Sequence, residues 1–118
     1  MTARLGAITF DCQDPIAMAT FWSETIGRPI DDEPSEFFAS IGMTTPDAGP
    51  RWLFAQVPEG KTAKNRCHLD LEADDPTAEV ERLVTLGATH LASKDEWNFQ
   101  WNVLQDPEGN EFCVSRPH

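Results

Sequence analysis

One stretch decides how this chain folds: residues 65–76, which read NRCHLDLEADDP. Apolar and polar residues alternate in its first half, which predicts a strand with His68, Asp70 and Glu72 on one face. Asp75 follows at the position of a helix N-cap, where its side chain can accept a hydrogen bond from a backbone amide of the first turn. The stretch therefore predicts a strand that leads into a helix, with a polar row along one face of the strand.

The same pattern occurs earlier in the chain. Residues 6–15 read GAITFDCQDP, and their Asp14 occupies the place of Asp75 in the later stretch. A repeated strand-and-helix pattern predicts two modules with the same order of elements, because similar sequence patterns favour similar local structures. One mismatch bears on function: the position that corresponds to His68 holds Ala7.

Each half of the chain reads as a strand, a helix and about three more strands. Module one is expected at about residues 1–60 and module two at about residues 64–118, joined by a polar connector at residues 58–64. Each module has apolar faces that it must bury against another layer. We predict an α+β fold in which two βαβββ modules form an incomplete barrel around a cleft, within a single domain.

The bounds of the elements follow from the spacing of apolar residues and from the Asp, Pro and Gly residues at their ends. Helices are predicted at residues 15–26 and 76–86, with apolar stripes of Met18, Phe21 and Trp22 and of Val80, Leu83 and Val84. Strands are predicted at residues 5–12, 28–30, 37–43, 51–57, 67–72, 89–92, 100–105 and 111–115, and a loop or hairpin at residues 93–99.

The composition excludes several kinds of partner. A formal net charge of −11 over 118 residues argues against nucleic acid and anionic membranes as partners. No apolar run approaches the roughly 20 residues of a membrane span, and the N-terminus does not resemble a signal peptide. The three cysteines, Cys12, Cys67 and Cys113, lie in apolar strand patterns. We interpret them as buried, reduced thiols and expect a cytoplasmic protein.

Three segments resemble the vicinal oxygen chelate superfamily, which includes glyoxalase I, extradiol dioxygenases and the bleomycin-resistance proteins. They are residues 10–15 with the aromatic pair after them, residues 65–71, and residues 103–112, which read VLQDPEGNEF. The last segment is the most specific, because an Asp-Pro-Glu-Gly-Asn turn before a final strand is typical of the family. The chain is most similar to the small bacterial glyoxalase-like domain proteins, and the resemblance implies a homodimer.

The resemblance also implies a place for a divalent metal ion, held by four side chains in the cleft. The corresponding positions here are Ala7, Gln56, His68 and Cys113, and the alanine has no donor atom. The three others form a mixed set that does not suit magnesium or manganese, whereas zinc or nickel can bind His and Cys. We therefore expect no metal cofactor and no glyoxalase I activity. A divalent ion on His68, Gln56 and Cys113 is the alternative.

His68 and Gln56 are the candidate catalytic residues. Besides binding a metal, His68 can act as a general acid or base, because an imidazole beside carboxylates is poised near neutral pH. The simplest interpretation is structural: His68 lines a pocket, or forms a hydrogen bond with Asp70, Glu72 or Gln56.

The candidate ligand-binding residues are carboxylates, aromatic residues and one cysteine. Carboxylates on strand ends are more often only solvated, and each aromatic residue taken singly is more often part of the core. Trp97 lies among polar residues and is expected near a ligand or at a loop tip. The full set is Asp11, Trp52, Asp70, Glu72, Trp97, Trp101 and Cys113.

Two functions fit these residues, and both involve a small molecule in the cleft. The first is an enzyme of the vicinal oxygen chelate type (a lyase, isomerase or dioxygenase) that uses His68 and Gln56. The second is a binding protein that sequesters a small apolar or aromatic molecule, as the antibiotic-resistance members of the superfamily do. The missing donor at Ala7 and the aromatic residues favour chemistry without a metal, or binding alone.

Overall fold

Two helices and seven strands form among residues 2–117, the part of the chain that the computed structural model describes. The chain divides into two units, one ending at Gly60 and one beginning at Lys61. The first unit contains β1 (Ala7–Cys12), α1 (Pro15–Ile26), β2 (Phe38–Ile41), a 3₁₀ turn (Pro46–Ala48) and β3 (Arg51–Gln56). The second contains β4 (Leu69–Glu72), α2 (Pro76–Leu86), β5 (Thr89–Glu96), β6 (Phe99–Gln105) and β7 (Glu111–Ser115).

Each unit contains one mixed sheet, and the two sheets share a topology. The strand order is β1-β3-β2 in the first unit and β4-β7-β6-β5 in the second. In both, the strand before the helix pairs in parallel with the last strand of the unit, and the remaining pairs are antiparallel. The predicted α+β class is confirmed, and the repeat seen in the sequence is a repeat of strand pairing as well.

The two helices begin in the same way. The side chain of Asp14 accepts a hydrogen bond from the backbone amide of Ala17 at 3.1 Å, and Asp75 accepts one from Ala78 at 3.2 Å. A proline follows each cap, where its fixed φ suits the first helical turn and its missing N–H costs nothing. Gly27 ends α1 in the left-handed conformation, with φ 71°.

The core of the first unit forms between α1 and one side of its sheet. Met18, Phe21 and Trp22 are all buried, as the apolar stripe predicts. The ring of Trp22 lies 5.6 Å from that of Phe10 and 5.1 Å from that of Trp52. Side chains alternate along a strand, so the other side of this sheet carries the polar residues of β1.

The second unit packs α2 against β5, β6 and β7. Val80 and Leu83 are buried, but Val84 is 45 % exposed, so the predicted stripe is one residue too wide. Leu104 and Val114 are fully buried and belong to the side of the sheet that α2 covers. We call the opposite side, turned away from α2, the helix-free face of the second sheet.

Several predicted bounds need correction. Residues 28–30 contribute a single bridge, between Ile30 and Ile41, because Pro29 has no N–H for a longer ladder. β4 begins at Leu69, so Cys67 lies before the strand and is exposed, whereas Cys12 and Cys113 are buried as predicted. β5 continues to Glu96, beyond the predicted end at residue 92, and a two-residue turn joins it to β6, so the hairpin is the correct one of the two structures predicted for residues 93–99.

No helix formed by residues 2–117 is long and apolar enough to cross a membrane.

Candidate functional site

Three side chains with metal-ligating or acid–base groups lie together in the second unit. Asp70 of β4 pairs with Cys113 of β7, and residues paired in a ladder project to the same face. His68 lies two residues before Asp70 and continues the alternation toward that face. One donor atom from each residue lies within 4.8 Å of the other two. We call these three residues the His68 cluster.

The contacts within the His68 cluster are polar, and one side of it is accessible. His68 Nε2 lies 3.4 Å from Asp70 Oδ1, and these side chains are 50 % and 59 % exposed. Burial raises the pKa of the Cys113 thiol, and the charge and hydrogen bond of Asp70 raise it further, against a smaller opposing effect of Lys64. Because only a thiolate is a strong nucleophile, this environment does not activate Cys113 for nucleophilic catalysis.

Aromatic rings form a second group on the same unit. The ring of Trp101 stacks 6.4 Å from that of Trp97 and 6.2 Å from that of Phe99. Trp101 pairs with Ser115, two residues beyond Cys113 in β7, so its side chain lies on the helix-free face, one strand across from Cys113 and about 7 Å along the strands from it. We call Trp97, Phe99 and Trp101 the aromatic triplet.

The turn of the hairpin that carries the aromatic triplet places a tryptophan in the left-handed conformation. Trp97 and Asn98 join β5 to β6 with φ angles of 53° and 61°, as in a type I′ turn. Asn tolerates this left-handed conformation, but a bulky residue there is strained. Trp97 is nevertheless held at the tip with 87 % of its surface exposed, in agreement with the loop tip predicted for it.

The remaining predicted residues lie in different places. Glu72 pairs with Ser115 and shares the face of Asp70, whereas Asp11 is an exposed residue of β1 in the first unit. Trp52 does not line an open face, because it alternates toward α1 and is only 6 % exposed within the aromatic core. Core packing, the simpler interpretation, is therefore correct for Trp52.

Gln56 ends β3, where it pairs with Cys12. Thr9 is the residue of the first unit that corresponds to Asp70. Asp70 pairs with Cys113, whereas Thr9 pairs with Leu53. By alternation Gln56 lies on the same side of β3 as the core residues, so the register of the first sheet does not favour it as a counterpart of Cys113. Its role as a ligand or catalytic residue stays a prediction.

Sequence reasoning missed the importance of two carboxylates. Asp70 was expected to bind the ligand, but its pairing with Cys113 also makes it a member of the His68 cluster. Glu111 is 9 % exposed and accepts hydrogen bonds from Lys61 Nζ at 2.9 Å and from the backbone amide of Asn65. Burial raises the pKa of Glu111, but these hydrogen bonds outweigh it and the net shift is downward. Cys113 lies more than 40 residues from Asp70, and Lys61 more than 40 residues from Glu111, so no local signal reveals these two contacts.

A polar groove of about 1060 Å³ on the second unit is lined in part by Phe99 and Trp101 of the aromatic triplet. It runs from the start of α2 to the β5–β6 hairpin, with Ser93, Asp95, Asn102 and Arg116 among its lining residues. Ser93 and Asn102 are already hydrogen-bonded to each other at 2.8 Å. The His68 cluster does not line this groove.

Solved structures share this fold over nearly their whole length. A glyoxalase/bleomycin resistance protein/dioxygenase family enzyme from Burkholderia phytofirmans PsJN matches with TM-score 0.78 and 19 % identity, over 97 % of this chain and 98 % of its own. The bleomycin-binding protein of Streptomyces verticillus, solved with copper(II)-bleomycin, matches with TM-score 0.64 and 20 % identity over 100 % of both chains. At these identities the likeness establishes the fold alone.

A third structure extends the range of functions on this fold. It is a mutant of the fosfomycin resistance protein FosX from Listeria monocytogenes, complexed with Mn(II) and 1S,2S-dihydroxypropylphosphonic acid. It matches with TM-score 0.77 and 9 % identity, over 100 % of this chain and 92 % of its own. A comparison with curated protein sequences finds no significant match.

The family model described as "Glyoxalase-like domain" matches residues 7–115, which include both sheets, both helices and the His68 cluster. This match agrees with the resemblance that the Asp-Pro-Glu-Gly-Asn turn and the repeated Asp-Pro helix starts indicate. The chain therefore belongs to the glyoxalase-like domain family of the vicinal oxygen chelate superfamily.

Proposed function

We propose that this protein binds a small planar or apolar organic molecule on the helix-free face of its second sheet. In this proposal the aromatic triplet stacks on the ligand, and the His68 cluster contacts a polar group of the same ligand. The observation that carries the proposal is Trp97, a large aromatic side chain held almost fully exposed on a strained turn. Strain of this kind persists where it serves a function.

The geometry of the aromatic triplet supports this proposal. Trp101 stacks with the rings of Trp97 and Phe99, and aromatic rings are effective contacts for planar ligands because they bury a large area with few rotatable bonds. On the same face, Cys113 lies one strand across and about 7 Å along the strands from Trp101, and Asp70 and His68 lie farther away on the β4 side of Cys113. Glu72 shares that face, so a ligand with a hydrogen-bond donor fits better than an anion.

Tryptophan fluorescence tests the binding proposal directly. Titration with a panel of neutral and cationic aromatic compounds should quench the emission saturably for at least one member. Trp97→Ala should weaken that binding by about 5- to 12-fold, since stacking on one aromatic ring is worth about 1–1.5 kcal/mol. Phe37→Ala removes another exposed aromatic side chain, in the first unit, and should leave binding unchanged. Equal losses in both variants, or no saturable quenching, would overturn the proposal.

The contact between His68 and Asp70 supports a second candidate function, an enzyme of the lyase, isomerase or dioxygenase type. A carboxylate next to an imidazole orients the ring, as a general acid or base requires. Turnover of a quenching ligand by the parent protein, lost in His68→Asn with binding retained, would support the enzyme. Binding without turnover would support sequestration alone.

We also propose a cytoplasmic location and a homodimer. The location is supported by the cysteines, which form no disulfide among residues 2–117. The homodimer is what the family resemblance implies, and sedimentation equilibrium tests it.

A further inference from the structure

We propose that the polar groove at the start of α2 binds a small zwitterion of the amino acid class, with one carboxylate and one ammonium group. In this proposal Arg116 binds the carboxylate of the ligand and Asp95 binds its ammonium group. The inference goes beyond the proposed function, because this ligand lies on the α2 side of the second sheet, opposite the helix-free face.

The groove lies at an end of the sheet that α2 does not cover. Asn102 pairs with Val114, and Val114 is buried on the side of the sheet against which α2 packs. Gln100 comes two residues before Asn102, so its side chain projects to the same side. The helix begins only at Pro76, and the space between its start and Gln100 forms the groove.

The floor of the groove contains a row of three polar residues. Asp95 pairs with Gln100 across β5 and β6, and the register of β6 with β7, continued by one residue, sets Arg116 beside Gln100. Because neighbouring strands are about 4.8 Å apart, the α-carbons of Arg116 and Asp95 are separated by roughly 10 Å. A cation and an anion therefore lie at opposite ends of the row, with an amide between them.

The opposite charges of the groove do not pair with each other. Within residues 2–117, neither Arg116 nor Lys94 forms an ion pair, although Asp74, Asp75 and Asp95 line the same groove. Three carboxylates against two cations disfavour a ligand with negative charge alone, and the two cations disfavour a ligand with positive charge alone. A zwitterion places an opposite charge next to each sign.

The side chains of the groove supply a contact for each part of an amino acid. Gln100 Nε2 donates a hydrogen bond to Asp95 Oδ2 at 3.3 Å, which orients this carboxylate and leaves it acceptor positions for an ammonium group. The planar guanidinium of Arg116 can bind a carboxylate through two parallel hydrogen bonds. Phe99 and Trp101 also line the groove, so an amino acid with an apolar side chain fits best.

Isothermal titration calorimetry of the full chain with the standard amino acids tests the inference. At least one amino acid with an apolar side chain should bind saturably. The decarboxylated amine and the deaminated acid with the same side chain each keep a single charge. Both should bind at least about 10-fold more weakly, since a hydrogen bond to a charged group contributes that factor or more.

Two variants assign the charges of the ligand to residues of the groove. Arg116→Gln should weaken binding of the amino acid by about 10-fold and leave binding of the amine unchanged, because the amine has no carboxylate. Asp95→Asn should weaken binding of the amino acid but not of the deaminated acid. Both residues are exposed, so the circular dichroism spectra should stay those of the parent. Arg66→Gln removes an exposed cation outside the groove and should change none of these affinities.

The inference is overturned if no amino acid binds saturably, if the single-charge analogues bind as tightly as the amino acid, or if Arg116→Gln and Arg66→Gln have equal effects. Its failure is distinguishable from the failure of the proposed function. Saturable tryptophan quenching by a neutral or cationic aromatic compound, without amino acid binding, would leave only the ligand site of the helix-free face standing. Amino acid binding without quenching by any such compound would leave only the groove.

Discussion

The position of His68 follows from the local sequence, whereas its neighbour Cys113 is distant in the chain. Its position next to a strand, on the side of Asp70, follows from alternation along residues 65–76. Its approach to Cys113 depends on the pairing of β4 with β7. The side chain is half exposed and its described contact is with Asp70, so its chemistry can be removed without removing part of the core.

Replacing His68 by alanine should therefore separate function from stability. We expect the free energy of unfolding to change by less than about 0.5 kcal/mol, as for other exposed positions. Binding of any ligand found by tryptophan fluorescence should be lost or strongly weakened. Urea unfolding and the titrations described above measure the two effects. A large loss of stability would instead identify His68 as a structural residue.

Replacement of Glu111, unlike replacement of His68, should lower the stability of the protein, because Glu111 is buried and forms an ion pair with Lys61. Glu111→Gln leaves Lys61 facing a neutral partner and should cost about 1–3 kcal/mol at pH 7. The folded pKa of Glu111 lies below its ordinary value of 4.5. Its contribution is therefore fully present above about pH 4.5 and is lost as the pH falls through the folded pKa.

Urea unfolding from pH 7 down to pH 3 checks this prediction. The difference between the parent and Glu111→Gln should shrink toward low pH, whereas the exposed control Glu59→Gln should stay close to the parent throughout. A difference that is constant across this range would contradict the assigned role of the Lys61–Glu111 pair.

At the scale of single elements, the helices were predictable and the β5–β6 hairpin was predictable only in part. Helix bounds depend on neighbours in sequence, and the Asp caps and prolines fix both starts. The extension of β5 to Glu96 depends on seven residue pairs with β6, which the polar composition of residues 93–99 conceals. At the tip of that hairpin, Trp97 has a strained backbone conformation and an exposed side chain.

Trp97→Asn should raise stability and weaken ligand binding at the same time. Asn suits the left-handed conformation, which costs a bulky residue about 1–2 kcal/mol. The lost stacking of an 87 % exposed ring on Trp101 is worth less, about 0.5 kcal/mol. We expect a net gain of roughly 0.5–1.5 kcal/mol in the free energy of unfolding, measured by thermal or urea unfolding.

Asn98→Gly is the matched control, because it also favours the turn but keeps the ring of Trp97. It should not lower stability and should retain ligand binding. If Trp97→Asn destabilises the protein, or if both variants bind ligand like the parent, the functional interpretation of the strained turn fails.

At the scale of the whole molecule, the chain is a duplicated unit whose copies have diverged in chemistry. Both units pair their first and last strands in parallel and start their helices with Asp-Pro. The first unit has an aromatic core and no counterpart of the His68 cluster, whereas the second carries the cluster and the aromatic triplet. Both proposed functions therefore belong to the second unit.

The expected homodimer is tested on the intact protein. Sedimentation equilibrium should give twice the chain mass of 13.2 kDa. The measurement should be made at about 0.15 M salt, because a net charge of −11 on each chain repels the partner unless it is screened. The mass of a single chain at micromolar concentration would contradict the expectation.

The sequence by itself determined the helices, most of the strands, the repeat and the family, and it identified His68 as the main candidate residue. These features depend on residues close together in the chain, through alternation, capping and turn composition. Only the tertiary structure decided that Trp52 belongs to the core, that Lys61 pairs with Glu111, and that Asp70 and Cys113 complete the cluster. The physical reason is strand register, which is fixed when whole faces pack together and which no short segment specifies alone.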